Sequence, residues 1–125
     1  MNTIPRNFLC KTDSYKLRHF DMLPLGTTHV SSYFEPRIGA GHDQVFWYGA
    51  LQYYLKEYFE GVVVTRDNLD ELIALAKWHY PAGVDEKMWN AIIERHGGRL
   101  PIEIATLPEG TIVPRGTAVL QVVNT

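Results

Sequence analysis

Two short segments combine aromatic, acidic and basic side chains in a way that suits ligand binding. One is Lys11–Lys16, which reads Lys-Thr-Asp-Ser-Tyr-Lys, and the other is Tyr33–Arg37, which reads Tyr-Phe-Glu-Pro-Arg. The ring of Tyr15 can stack on a flat heteroaromatic ligand or can pack as an N-terminal anchor. Arg37 follows a proline just past a predicted strand, and its planar guanidinium can bind two phosphate oxygens at once. The alternative for Arg37 is a surface ion pair with Glu35.

Other motifs that could carry chemistry are weaker. The Gly39-Ala40-Gly41 run lacks the third glycine and the Lys-Ser/Thr pair of a phosphate-binding loop, so we interpret it as an ordinary loop. The five histidines have no metal-ligand spacing on any one helix, and we therefore expect no metal site. Cys10 has no obvious nearby base and fits a small packed residue better than a nucleophile. The sequence thus predicts ligand-binding residues but no catalytic residue.

Composition and charge exclude several classes of protein. The chain has 125 residues, a net charge of -2 and one cysteine. It has no basic surplus for binding nucleic acid and no run of the roughly 18 to 20 apolar residues that a membrane helix needs. The first residues lack the continuous apolar stretch of a signal peptide. We therefore expect a cytoplasmic protein with no nucleic-acid or membrane partner.

The hydrophobic periodicity indicates which elements position these residues. Alternation predicts a strand over Thr28–Glu35, which ends at a proline. Three- and four-residue spacing predicts helices that begin at Asp43 or Gln44, after Thr65 and after Asp85. Gly61 and Gly97 stand where left-handed C-terminal caps belong.

Strand periodicity returns after the helices. We predict strands at about 100–107 and 117–123 with a short segment at 111–113, arranged as a β-meander. The predicted class is α+β, with helices packed on a mixed or antiparallel β-sheet. The last strand is apolar and ends close to Thr125, where an unpaired edge would favour association. We therefore expect a fragment of a longer chain, a truncated gene product or an obligate oligomer.

The two ligand-binding segments belong to a longer pattern. Together with the motifs that follow, they resemble the N-terminal region of nicotinamide phosphoribosyltransferases, and the resemblance extends over essentially the whole chain. The order and the spacing both match, which is more specific than any single motif. The motifs are Thr12–Lys16, Ser32–Arg37, Tyr48-Gly49, Leu51–Tyr53, Leu100–Ile104, Pro108–Gly110 and Pro114–Gly116.

This resemblance implies a fold and a reaction. Residues 1–125 would form a single domain, the N-terminal domain of a type II phosphoribosyltransferase, and the catalytic barrel domain would lie outside this chain. The family makes nicotinamide mononucleotide and pyrophosphate from nicotinamide and 5-phosphoribosyl 1-pyrophosphate, with Mg²⁺ on the phosphates. It works as a homodimer with active sites at the subunit interface. This 125-residue chain alone is then expected to be inactive.

The resemblance also implies roles for three residues. Tyr15 is similar to the tyrosine that stacks on nicotinamide in the neighbouring subunit, and Asp13 to an acidic partner near that site. Arg37 is similar to a basic residue that binds the ribose phosphate or the pyrophosphate. The pattern departs from the family at Ile38–His42, where vertebrate members have a lysine-rich loop.

Two alternatives remain open at the level of the sequence. The chain could be a non-catalytic remnant or a dimerisation module of the same family. It could also belong to a nicotinate phosphoribosyltransferase, which has the same reaction type and an acid substrate. The form Thr-Asp-Ser-Tyr-Lys at Thr12–Lys16 favours the nicotinamide branch.

Overall fold

The structure of the chain is a computed structural model that describes residues 7–39 and 41–125. Residues 1–6, which the sequence analysis compared with a signal peptide, lie outside the described residues. One residue of the Gly39–Gly41 loop does so as well. The described chain divides into two units. The first unit contains the chain up to Gly26 together with Lys56–Leu100, and the second contains Thr27–Leu55 together with Pro101–Thr125.

Over the described residues, the structure contains the predicted strands and the predicted helices after Thr65 and Asp85, together with two 3₁₀ segments and a strand, β2, that the sequence does not predict. The helical elements are 3₁₀ segments at Phe8–Cys10 and Ser14–Met22, α1 (Leu51–Tyr54) with a π-helical continuation at Leu55–Phe59, α2 (Arg66–Ala76) and α3 (Glu86–His96). The strands are β1 (Ser31–Phe34), β2 (Gln44–Phe46), β3 (Ile102–Thr106), β4 (Ile112–Pro114) and β5 (Leu120–Asn124). The predicted α+β class is confirmed.

Helices α2 and α3 begin where their capping residues predict, and α3 also ends where Gly97 predicts. The Thr65 hydroxyl accepts a hydrogen bond from the Asn68 amide at 3.2 Å. The Asp85 carboxylate accepts hydrogen bonds from the amides of Lys87 and Met88. Each cap satisfies amides that the first helical turn leaves without a partner. Gly97 ends α3 with φ of +59°, in the left-handed region that glycine adopts at little cost.

The core of the first unit fixes the segment that leads to Asp13 and Tyr15. Leu9, Leu69 and Leu72 are buried together with Val64. The Asn7 side-chain amide donates to the carbonyl oxygen of Asn68 at 2.7 Å and to a carboxylate oxygen of Glu71 at 3.1 Å. The N-terminal segment is therefore attached to α2 by apolar packing and by hydrogen bonds.

The strands of the second unit are all antiparallel among the described residues. β5 lies between β1 and β3 in a three-stranded sheet, and β2 pairs with β4 in a two-stranded sheet. The predicted β-meander is wrong, because β4 pairs with β2 and β3 pairs with β5. Val113 of β4 lies opposite Val45 and packs in a cluster with Trp47 and Val119. Burial of this cluster favours the non-sequential pairing.

The predicted start of the aromatic helix at Asp43 or Gln44 is also wrong. Gln44–Phe46 forms β2, and the indole of Trp47 donates to the carbonyl oxygen of Leu107 at 3.1 Å. Ala50 has φ of +51°, which interrupts any helix, and α1 begins at the next residue. A carboxylate oxygen of Glu109 accepts the amides of Gly49 and Leu51, both at 3.0 Å.

The predicted end of this helical segment is close to the observed one. Its π-helical continuation ends at Phe59, and Gly61 has φ of +80°.

Candidate functional site

Asp13 and Tyr15 lie at the start of the 3₁₀ helix Ser14–Met22. Asp13 precedes the helix in an extended conformation, and its carbonyl oxygen accepts the Lys16 amide at 3.0 Å. Its carboxylate does not cap the helix, and the Oδ2 atom instead lies 3.0 Å from the Lys16 Nζ atom. The turn of the helix thus brings an acidic and a basic side chain together next to Tyr15.

The Tyr15 side chain is 56% exposed, which leaves much of its ring accessible to a ligand. The ring of His19 lies 5.4 Å away between centroids and is tilted by 53°. The Lys16 Nζ atom lies 5.9 Å from the Tyr15 ring centroid. The structure therefore brings Asp13, Tyr15, Lys16 and His19 together in one short segment.

Lys16 favours the ionised form of Asp13. The hydrogen bond from Lys16 lowers the pKa of Asp13, the Lys16 charge lowers it further, and a hydrogen bond with Tyr15 has the same direction. Asp13 in turn raises the pKa of Lys16, first by the hydrogen bond and then by its charge. Near neutral pH the pair is fully ionised. An ionised carboxylate accepts hydrogen bonds only, so Asp13 can receive an N–H group from a ligand.

Arg37 lies in the second unit, three residues after the end of β1. Its side chain is exposed, and its carbonyl oxygen accepts the Nη1 atom of Arg115 at 2.8 Å. Among the described residues, the ion pairs are Lys16 with Asp13 and Arg18 with Asp21, so Arg37 forms none with Glu35. The structure thus leaves the guanidinium of Arg37 available to an anion.

Lys16 and Arg115 belong to the motifs Thr12–Lys16 and Pro114–Gly116, but the sequence predicts no role for either residue. The three-residue spacing of Asp13 and Lys16 indicates that they can form an ion pair, because side chains at this spacing lie on the same side of a helix. The contact between Arg115 and Arg37 joins residues 78 positions apart and left no local signal. The roles of Tyr15, Asp13 and Arg37 in binding remain predictions.

A cavity of about 270 Å³ lies in the first unit next to the Asp13 segment. Its lining includes Thr12 and Ser14, which flank Asp13, and also Cys10. Burial raises the pKa of the Cys10 thiol, and the charge of Glu71 raises it further. The thiol is therefore protonated near neutral pH, which agrees with a packed residue and not with an activated nucleophile.

Within residues 7–39 and 41–125, no three His, Cys, Asp or Glu side chains cluster as they would around a metal ion. Over the same part of the chain, no helix has the length and apolar character needed to cross a membrane.

Comparison with known proteins identifies the family. The chain matches the family model described as nicotinamide phosphoribosyltransferase, N-terminal domain, over residues 7–104. The chain belongs to this family. It is 38% identical over 119 residues to a nicotinamide phosphoribosyltransferase of Xanthomonas campestris pv. campestris (strain 8004). That alignment covers 95% of this chain and 25% of the relative, so the chain spans about a quarter of the length of the curated relative that it matches.

Membership of the nicotinamide phosphoribosyltransferase family confirms the resemblance drawn from the motifs. The matched residues 7–104 include both predicted ligand-binding segments, α1, α2, α3 and most of β3. The family is one of pentosyltransferases, and the chain corresponds to its N-terminal part.

Proposed function

We propose that this chain is the N-terminal part of an enzyme that transfers phosphoribosyl from 5-phosphoribosyl 1-pyrophosphate to nicotinamide. The ring nitrogen of nicotinamide forms a bond to C1 of the ribose. The bond from C1 to pyrophosphate breaks, and pyrophosphate leaves with the electron pair. The products are nicotinamide mononucleotide and pyrophosphate. The observation that carries this proposal is the family match, which includes both ligand-binding segments.

The chain's own residues supply binding and orientation in this proposal. The exposed ring of Tyr15 stacks on nicotinamide, and the ionised carboxylate of Asp13 accepts a hydrogen bond near that ring. The guanidinium of Arg37 binds a phosphate group of the second substrate. Orientation of the ring nitrogen toward C1 supplies a large part of the rate enhancement. A bound and oriented nicotinamide has already lost its translational and rotational entropy before the bond forms.

Mg²⁺ belongs to the substrate in this proposal. The described residues contain no cluster of carboxylates that could hold the ion, and the donor atoms that suit Mg²⁺ are the phosphate oxygens of the substrate. When bound there, the ion neutralises charge on the departing pyrophosphate. The residues of this chain that act on the same phosphates are cationic, and Arg37 is the one we assign.

We further propose that the active enzyme is a cytoplasmic homodimer. Tyr15 belongs to a segment that is partly exposed within its own unit, which is consistent with a role in the site of a neighbouring subunit. The single cysteine agrees with a reducing compartment.

The test is an assay of the longer enzyme that contains this chain. The enzyme is mixed with 5-phosphoribosyl 1-pyrophosphate, Mg²⁺ and either nicotinamide or nicotinate, and the mononucleotide is measured by chromatography. We expect product from nicotinamide and much less from nicotinate. The reverse preference would indicate the nicotinate enzyme, and no product from either would contradict phosphoribosyl transfer. The 125-residue chain alone is the control, from which we expect no product.

A further inference from the structure

The turn at Pro114–Gly116 is in contact with the residue that we assign to phosphate binding. The Gly116 amide donates to the carbonyl oxygen of Pro36 at 2.9 Å. The Nη1 atom of Arg115 donates to the carbonyl oxygen of Arg37 at 2.8 Å. Both contacts lie within the second unit.

These two hydrogen bonds hold the peptide groups on both sides of the Arg37 Cα atom. The carbonyl of Pro36 belongs to the peptide group before Arg37, and the carbonyl of Arg37 belongs to the peptide group after it. Because peptide groups are planar, holding both of them sets the two backbone dihedral angles of Arg37. The direction of the Arg37 side chain from the backbone follows from those angles.

Packing at Gly116 also keeps the turn close to the Arg37 segment. This residue has φ of +75°, and a Cβ atom built on it would lie 3.1 Å from the Cδ1 atom of Ile38. Glycine therefore allows the turn to approach the residue after Arg37 closely. The Arg115 amide also donates to the carbonyl oxygen of Asp43 at 3.2 Å, at the far end of the same loop.

Charge distinguishes this arrangement from an ordinary turn contact. Arg37 and Arg115 are the two Lys or Arg residues in the sequence of the second unit. Arg115 is partly buried, and its guanidinium is directed to the backbone of Arg37, whose own guanidinium is exposed. Two cations on neighbouring turns repel each other, which is tolerable beside a ligand with several negative charges.

We propose that Arg115 is a positioning residue, which orients Arg37 for binding a phosphate group of the substrate. This inference rests on the proposed function for the identity of the ligand. The hydrogen bond from a charged donor is stronger than a neutral one, so Arg115 restrains the Arg37 backbone more firmly than a neutral side chain would. Arg115 acts through Arg37 and makes no phosphate contact of its own in this proposal.

The kinetic test uses the longer enzyme that contains this chain. We expect Arg115→Ala to raise the KM for 5-phosphoribosyl 1-pyrophosphate by roughly 10-fold to 100-fold, because small misplacements of binding groups have effects of this size. The KM for nicotinamide and kcat should change much less. In an Arg37→Ala background, Arg115→Ala should add less than about a twofold change, since coupled residues are not additive. An equal factor in both backgrounds would overturn the proposal.

Variants and controls guard against a purely structural effect. Arg115→Gln keeps a polar side chain at the partly buried position but is too short to reach the same oxygen, and we expect the same direction of change. Thr111→Val is the control, because the Thr111 hydroxyl bonds to the carbonyl oxygen of Pro108 in the neighbouring turn at 2.6 Å. It should leave both KM values unchanged. A rise in KM with Thr111→Val equal to that with Arg115→Ala would overturn the proposal.

Hydrogen–deuterium exchange separates this inference from the proposed function. In Arg115→Ala we expect faster amide exchange over residues 37–39, which follow and include the residue that the Arg115 side chain contacts, and unchanged exchange in α2. If Arg37→Ala leaves the KM unchanged, the phosphate role of Arg37 is wrong. In that case faster exchange still supports the positioning of Arg37 by Arg115. Unchanged exchange over residues 37–39 overturns it in either case.

Discussion

Tyr15 is more exposed than an aromatic side chain with a role in its own core would be, at 56%. We expect Tyr15→Ala to raise the KM for nicotinamide by about fivefold, since stacking of aromatic rings contributes roughly 1 kcal/mol. Tyr15→Phe keeps the ring face and should retain most activity. Steady-state kinetics with nicotinamide as the varied substrate measures both variants. A loss in Tyr15→Phe as large as in Tyr15→Ala would mean that the hydroxyl, and not the ring face, carries the function.

Arg37 contributes a charge to the site and little to the fold, because its exposed side chain has no acidic partner among the described residues. We expect Arg37→Ala to weaken binding of 5-phosphoribosyl 1-pyrophosphate by about 1.5 to 3 kcal/mol, the usual loss for a charge-assisted hydrogen bond. The apparent KM for this substrate is the measurement. Lys87→Ala removes an exposed cation from α3 and is the control, which should have no effect. An unchanged KM in Arg37→Ala would remove Arg37 from the site.

The pair of Asp13 and Lys16 makes a prediction about pH. Because Lys16 lowers the pKa of Asp13, the favourable interaction is present above the pKa of the unfolded chain and is lost as the pH falls through the lower, folded pKa. Lys16→Met should raise the pKa of Asp13 toward its ordinary value, measured by NMR titration of the carboxyl carbon. Lys11→Met is the control, since Lys11 lies over the Tyr58 ring instead, 5.1 Å from its centroid. A titration curve of Asp13 that is the same with and without Lys16 would exclude the hydrogen bond as the cause.

Site residues could be predicted from the sequence only where the chemistry is local. Asp13 and Tyr15 stand within three positions of each other, and their proximity follows from any helical turn. Arg37 could be predicted as an exposed cation after a strand and a proline. The dependence of Arg37 on Arg115 could not, because it arises from the pairing of β1 with β5 and from a turn 78 positions later.

At the scale of elements, the capping residues of the helices can be predicted from the sequence, whereas the pairing partners of the strands cannot. Thr65 and Asp85 accept amides in their own first turns, so a short window of sequence contains the whole interaction. Residues 44–50 are different, because their apolar spacing fits a helix as well as a strand. Pairing with β4 decides for a strand, since it buries Val113 beside Trp47. The partner strand is distant in sequence, so no local pattern contains this information.

Ala50 lies between strand β2 and helix α1, directly before the first residue of the helix. Its φ of +51° is unusual for a residue with a Cβ atom, and this conformation costs roughly 1 kcal/mol. We expect Ala50→Gly to raise the free energy of unfolding or leave it unchanged, although glycine usually destabilises. Urea denaturation is the measurement. Ala105→Gly in β3 is the matched control and should lower the free energy of unfolding by about 0.5 to 1 kcal/mol. Equal losses in the two variants would mean that Ala50 is not strained.

At the scale of the whole molecule, the predicted binding residues are distributed over both units. Asp13 and Tyr15 belong to the first unit, and Arg37 and Arg115 to the second. The family match extends across residues of both units, and the chain spans about a quarter of its curated relative.

The proposed dimer leads to a complementation experiment. We expect the longer enzyme to contain a barrel domain. If Tyr15 serves the site of the neighbouring subunit, a protomer with Tyr15→Ala keeps that expected barrel intact, and a protomer disabled in the barrel keeps an intact Tyr15. An equal mixture should form heterodimers in about half of the population, each with one complete site of two, so that about a quarter of the wild-type activity returns. At nicotinamide concentrations well below the wild-type KM, the Tyr15→Ala variant alone should be about fivefold less active than the wild type, and the barrel variant alone should be inactive. The measurement is turnover after subunit exchange, which native mass spectrometry verifies. Heterodimers that regain no activity would place Tyr15 in the site of its own subunit or outside the site, because only a residue lent across the interface allows two defective protomers to complete one site.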